Sequence, residues 1–137
     1  MEELIRPSLV QGKLVICDRF IHSTLAYQGF GRGLDIELLN KLNLIATSGL
    51  KPDLTILLDL NPETGLARAR KRADQEAPES ESGWTRFEQE KLDFHQKLRD
   101  GFLELAKDSS QNIKIIDAEK SEAEVISQAK KIVGEVL

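Results

Sequence analysis

Leu14-Val15-Ile16-Cys17-Asp18-Arg19-Phe20-Ile21-His22-Ser23-Thr24-Leu25-Ala26-Tyr27-Gln28-Gly29 is the stretch that decides the fold. It opens with four apolar residues, Leu14 to Cys17, short enough for a buried strand, and delivers an acid and a base side by side. Hydroxyl, phenol and amide groups follow at once. Polar groups gathered behind an apolar strand are how a site is assembled at the carboxyl edge of an open α/β sheet. The plainer alternative is a buried Asp18–Arg19 pair closing a strand, with Ser23 and Thr24 capping the helix that follows.

Outward from this stretch the chain alternates helix and strand signals. Before it, Leu4, Ile5, Leu9 and Val10 give an apolar helical face that ends at Gln11-Gly12-Lys13. Pro7 fits there only if the helix begins near it or kinks. After it, Gly29-Phe30-Gly31-Arg32-Gly33-Leu34 reads as a flexible loop, since its third glycine comes one place too early for a dinucleotide-binding turn. Asp35 is a fitting N-cap for a helix with Leu38, Leu39, Leu42, Ile45 and Ala46 at helical spacing, a stripe for the core or for a dimer contact.

Leu54-Thr55-Ile56-Leu57-Leu58-Asp59 is apolar enough to be buried on both faces, as strands of parallel sheets are. Asn61-Pro62 then starts a helix to about Arg72. Residues 73 to 85 combine Pro, Ser, Gly and acids without periodicity and read as a mobile loop. A long helix follows from about Arg86 to Lys107. Ile113-Lys114-Ile115-Ile116-Asp117 is a third strand, and Ser121 with Glu124 forms a capping box for a last helix holding Ala123, Ile126, Ala129, Ile132 and Val133 inside.

With 137 residues, 40% of them hydrophobic, and a net charge of −4, the chain reads as one globular domain, 1–137, or a piece of one. The acidic balance speaks against general nucleic-acid binding, which needs a basic face. No run approaches membrane-spanning length and Met1-Glu2-Glu3 is acidic where a secretory signal is basic, so the expected location is the cytoplasm, with no membrane partner. Cys17, the single cysteine, reads as a small core residue. His22 and His95 have no triad or metal-ligand spacing around them.

The pattern Asp-Arg-x-x-x-Ser-Thr-x-x-Tyr-Gln-Gly over Asp18 to Gly29 resembles the signature of thymidylate kinases. The resemblance implies a parallel-sheet, three-layer α/β sandwich of the P-loop nucleoside monophosphate kinase kind. It implies transfer of the γ-phosphoryl group of ATP, with Mg2+, to dTMP, giving dTDP, by a homodimer. Arg19 would grip the dTMP phosphate, as a planar fork of donors suits. Ser23, Thr24, Tyr27 and Gln28 would line the rest of the substrate. Asp18 would stand near the magnesium, acting on it through water.

The resemblance extends along the chain. Arg68-Ala69-Arg70-Lys71-Arg72 and Arg86-Phe87-Glu88 fall in the order of the family's arginine run and lid, placed here at about residues 68–88. Arg72 and Arg86 would be the catalytic arginines. Arg68 and Arg72 would face ATP, and Asp117 and Ala118 would lie near its adenine. Thr85 stands where the family pattern has an acid, and the lid is longer and more acidic than usual. Read from composition alone, Arg68, Lys71 and Arg72 form a solvated basic face near a helix carboxyl end.

The phosphate-loop pattern G-x-x-x-x-G-K-[ST] does not occur in these 137 residues. Gly12-Lys13 is followed by Leu14, and Pro7 stands in the first glycine's place. The expectation is therefore an incomplete fold, lacking the family's first two strands, poorly stable and catalytically dead by itself. Two further readings stay open: a non-catalytic fragment that binds nucleotide weakly or acts only in assembly, and a deoxynucleoside kinase. The least specific is a flavodoxin-like α/β domain with no kinase history.

Overall fold

The computed structural model describes residues 3–76 and 90–136, with side chains of residues 73–76 left aside. The chain forms two compact units, residues 1–51 and 52–137.

The first unit is helical. α1 (Ile5–Val10) begins two residues before Pro7, so the proline falls in the first turn, where backbone N–H groups lack intrahelical acceptors anyway. This is the arrangement that Pro7 requires. Leu14–Cys17, expected as a buried strand, forms no regular element and has no hydrogen-bonded strand neighbour among the described residues. Ile16 is 86% exposed, and Cys17 is exposed rather than packed in a core. A strand exists only through its ladder partner, and an apolar run without one stays solvated.

α2 (Ile21–Thr24) runs directly into a wider, π-helical turn over Leu25–Gly31. Residues 29–31, expected in a flexible loop, therefore belong to a helical element. Gly29 is needed there: a Cβ on it would collide with Ile36 Cδ1 and press on Leu39 Cδ1 at 3.3 Å. α3 (Ile36–Ala46) starts at Asp35, whose carboxylate accepts from the Leu38 N–H at 2.8 Å, as its sequence position predicts. It stops through Ser48 and Gly49 at positive φ. Leu25, Ala26 and Leu39 form the core with the buried polar residues His22 and Thr47. Arg6 fastens α1 to the end of α3, donating to the Thr47 and Ser48 carbonyls at 3.0 and 2.8 Å. The remaining apolar residues of α3 are outside this core, with Leu38 and Leu42 exposed and Ile45 74% exposed.

The second unit is α/β. β1 (Thr55–Asp59) and β2 (Ile113–Asp117) pair in parallel, Thr55 opposite Ile113 and Asp59 opposite Asp117. Two strands are present among the described residues where three were expected. Leu58 is 54% exposed, so β1 is not buried on both faces; a two-stranded sheet cannot cover itself as a wide one does.

Parallel pairing demands a crossover, and helices α4 (Pro62–Glu76) and α5 (Leu92–Lys107) lie in that connection. α4 begins at an Asn61 side chain that accepts from the Glu63 N–H at 2.9 Å. It continues to Glu76, so residues 73–76 are helical rather than loop; its helix-forming Ala, Arg and Lys residues carry the turns past Arg72. Residues 77–85 of the expected loop lie outside the described residues. α5 starts at Leu92, with Lys91 extended, rather than at Arg86; positions 86–89 are outside the described residues.

A 3-10 turn (Ser109–Gln111) leads to Asn112 at φ 45, a left-handed residue that asparagine tolerates, and its side chain donates to the Asp53 carbonyl. α6 (Glu122–Gly134) carries the expected capping box, Ser121 and Glu124 satisfying each other's backbone N–H groups. α5 and α6 both pack on β2, whose Ile116 is fully buried. Ile126, expected inside, is exposed on α6.

Candidate functional site

In the first unit, the residues after Leu14–Cys17 form a short, tightly built platform. Arg19 adopts φ 67, a left-handed conformation that an ordinary L-residue occupies at a cost. It turns the chain into α2. The Arg19 guanidinium carbon lies 5.3 Å from the centroid of the Tyr27 ring, a cation–π contact. Ser23 and Thr24 do not cap α2; they lie within it, and Phe20 at the cap makes no side-chain bond. That removes the capping role offered by the plainer reading.

Leu25, Ala26 and Gly29 turn into the core from the π-helical turn, and Ser23, Thr24, Tyr27 and Gln28 stay half-exposed. The wide turn is completed by the Gly33 and Leu34 N–H groups, which donate to the carbonyls of Gly29 and Gln28. Single π-type turns recur at functional sites, where they re-aim side chains. Asp18 stands exposed at the start of this platform.

In the second unit, polar groups gather at the carboxyl ends of both strands. Arg99 on α5 binds the Asp59 carboxylate with two bonds, Nε to Oδ1 at 2.8 Å and a terminal nitrogen to Oδ2 at 2.9 Å. This fork holds the Asp59 carboxyl below the usual aspartate range, chiefly through the hydrogen bond and against the opposing effect of partial burial. The Asp59 carbonyl accepts from the Ala118 N–H at 2.8 Å, and the Ala118 carbonyl accepts from Arg68 at 2.9 Å. Glu119 accepts from the Asn61 N–H at 3.3 Å, and the Asp117 carboxylate accepts from the Glu119 N–H at 2.9 Å.

Among the described residues no group of three or more His, Cys, Asp or Glu side chains is placed to hold a metal ion. Among them, too, no helix is long and apolar enough to cross a membrane.

The family model described as thymidylate kinase matches residues 1–129. Thymidylate kinase of Trichodesmium erythraeum (strain IMS101) is 46% identical over 137 residues, all of this chain and 56% of the relative. That of Desulfovibrio desulfuricans is 47% identical over 96% of this chain and 59% of its own length. That of Syntrophotalea carbinolica is 50% identical over 85% of this chain and 52% of its own length.

The chain belongs to the thymidylate kinase family. It spans somewhat more than half the length of these curated relatives. The family resemblance expected from Asp18 to Gly29 is thereby borne out, as is the α/β class. The residues assigned to the dTMP side, Arg19, Ser23, Thr24, Tyr27 and Gln28, all fall in the first unit together with Asp18. Those assigned to the ATP side, Arg68, Arg72, Asp117 and Ala118, all fall in the second. Arg68 and Ala118 are in direct contact, and Arg72 stands exposed one turn further along α4. Arg86 and Thr85 lie outside the described residues.

Arg99 is absent from the sequence reading, although one signal marked it. It lies four residues after His95 and three before Phe102, inside the apolar side of α5, next to the buried Leu98. A cation within such a stripe needs a counter-charge. The acid ending the apolar run at Asp59, 40 residues earlier, supplies it.

Proposed function

We propose that this chain is the dTMP-holding and lid-bearing portion of a thymidylate kinase, an enzyme that moves the γ-phosphoryl group of Mg-ATP to dTMP and gives dTDP. The observation that carries the reading is the family match over residues 1–129, supported by the Arg19–Tyr27 platform inside it. Arg19 grips the dTMP phosphate through two parallel bonds. Thr24 faces the thymine edge, Tyr27 and Gln28 line the sugar side, and Ser23 completes the substrate lining. Phosphoryl transfer is carried by positioning and electrostatics, and Arg72 and Arg86 are the residues proposed to neutralise charge on the transferred group.

A bound magnesium ion would supply charge neutralisation for the phosphates. It dehydrates reluctantly, so one carboxylate acting through water, Asp18, fits it without a carboxylate cluster. Asp117 and Ala118 lie near the adenine of ATP, and Arg68, bonded to the Ala118 carbonyl, faces the same nucleotide. The 137 residues contain no phosphate-loop pattern, so the cradle for the β- and γ-phosphates is not written in this sequence. The enzyme is proposed to be cytoplasmic and homodimeric, with Leu38, Leu42 and Ile45 on α3 as its contact.

Titration of the chain with dTMP and with thymidine tests this reading. The expected result is binding of dTMP that Arg19→Ala weakens at least tenfold, with thymidine binding weaker from the start and unmoved by the substitution. Equal affinity for the two ligands would contradict it.

A further inference from the structure

At the carboxyl ends of β1 and β2, four residues, from β1, α4, α5 and the turn after β2, are joined end to end. The Arg99 fork fixes the Asp59 side chain. The Asp59 backbone carbonyl fixes the Ala118 N–H, and the Ala118 carbonyl fixes Arg68. We propose that Arg99 is a positioning residue: through Asp59 it sets Ala118, at the adenine end of the proposed nucleotide site, and Arg68, which faces the same nucleotide. The functional half of this inference rests on the proposed ATP site; the mechanical half does not.

Three features favour a positioning role over an ordinary surface ion pair. The contact is bidentate, which fixes direction as well as distance. The side chains are only 32% and 21% exposed, so water competes weakly for them. The other ion pairs described are single contacts between neighbours on one helix, Lys41–Glu37 and Lys107–Glu104, which join nothing distant. Arg99 instead ties α5 to β1 at the residue where the parallel ladder passes its last bond to Ala118. Removing it frees the Asp59 side chain at the ladder's open end, where local fraying starts. Ala118 is the first residue to loosen, and Arg68 loses a fixed acceptor.

The test is residue-resolved hydrogen exchange on the chain, with ADP titration alongside. Arg99→Ala is expected to speed exchange of the Ala118 amide about tenfold, leaving Thr55, which bonds Asn112 at the opposite end of the same strand pair, unchanged. ADP affinity is expected to fall about tenfold while dTMP affinity holds. Asp59→Asn reproduces the effect, Arg99→Lys restores part of it, and Lys41→Ala, at the ion pair with Glu37 on α3 in the first unit, does nothing. Unchanged exchange at Ala118 in both Arg99→Ala and Asp59→Asn would overturn the proposal, as would equal acceleration at Thr55. Faster exchange at Ala118 in a chain that binds no ADP before or after substitution would support the relay and contradict the nucleotide site.

Discussion

The guanidinium of Arg19 lies over the ring of Tyr27, eight positions on, its carbon 5.3 Å from the ring centroid. The contact spans the start of α2 and the π-helical turn, and it joins two side chains of the Asp18–Gly29 signature, those proposed to meet the phosphate and sugar of dTMP. Arg19 holds this position from a left-handed backbone, φ 67. A costly conformation kept at a charged residue is expected where geometry serves binding.

That strain can be separated from the charge. Arg19→Ala and Arg19→Gly both remove the guanidinium, but only glycine occupies φ 67 freely. Arg19→Gly should therefore unfold at higher denaturant than Arg19→Ala, by roughly 1 kcal/mol, while the two lose dTMP affinity to the same extent. Equal stability would show that the left-handed turn relaxes once the side chain is gone.

Asp59 supplies a pH test. Its folded pKa is lowered, mainly by the hydrogen bond from Arg99. A lowered folded pKa means the stabilisation is complete above the unfolded value and is lost as pH falls through the folded one. The stability difference between the parent chain and Asp59→Asn should be about 1–2 kcal/mol at pH 7. It should start to shrink only below about pH 4, where an ordinary aspartate titrates. A difference that stays constant from pH 7 to 2.5 in urea titrations would show that the pair contributes nothing through charge.

Gly29 leaves no room for a methyl group. Gly29→Ala drives a Cβ into Ile36 Cδ1 and against Leu39 Cδ1. The cost should be about 1 kcal/mol, since the tip of Ile36 can turn aside. Ile36→Val removes that tip, so the double variant should recover most of the loss in chemical denaturation. Additive losses would contradict the contact.

The capping box of α6 should behave as a local device. Ser121→Ala strands the Glu124 N–H and should cost about 1 kcal/mol. Glu124 carries a lowered pKa for the same reason, its hydrogen bonds from Ser121. Titration of Glu124 followed by NMR should therefore move upward in Ser121→Ala and stay put in Asp35→Ala.

What could be read from sequence was what neighbours in sequence decide. Asp35, Asn61 and Ser121 cap helices because their side chains meet backbone N–H groups two or three residues on. β1 and β2 were legible as apolar runs, and the Asp18–Gly29 spacing led to the family. What failed depended on distant partners. Leu14–Cys17 has a strand's composition but no ladder among the described residues, so Ile16 and Cys17 are exposed. The π-helical turn at Leu25–Gly31 has no local propensity signal, because the packing of Gly29 against Ile36 favours it. Arg99 and Asp59 are 40 residues apart, and only the crossover brings them together.

Thermal unfolding of the purified chain with and without millimolar dTMP tests the central claim, that Asp18 to Gly29 form a working nucleotide platform. A ligand that binds only the folded state raises stability by mass action. The account predicts a clear rise in Tm with dTMP that Arg19→Ala abolishes. A cooperative transition indifferent to dTMP, or a rise that survives Arg19→Ala, would contradict it.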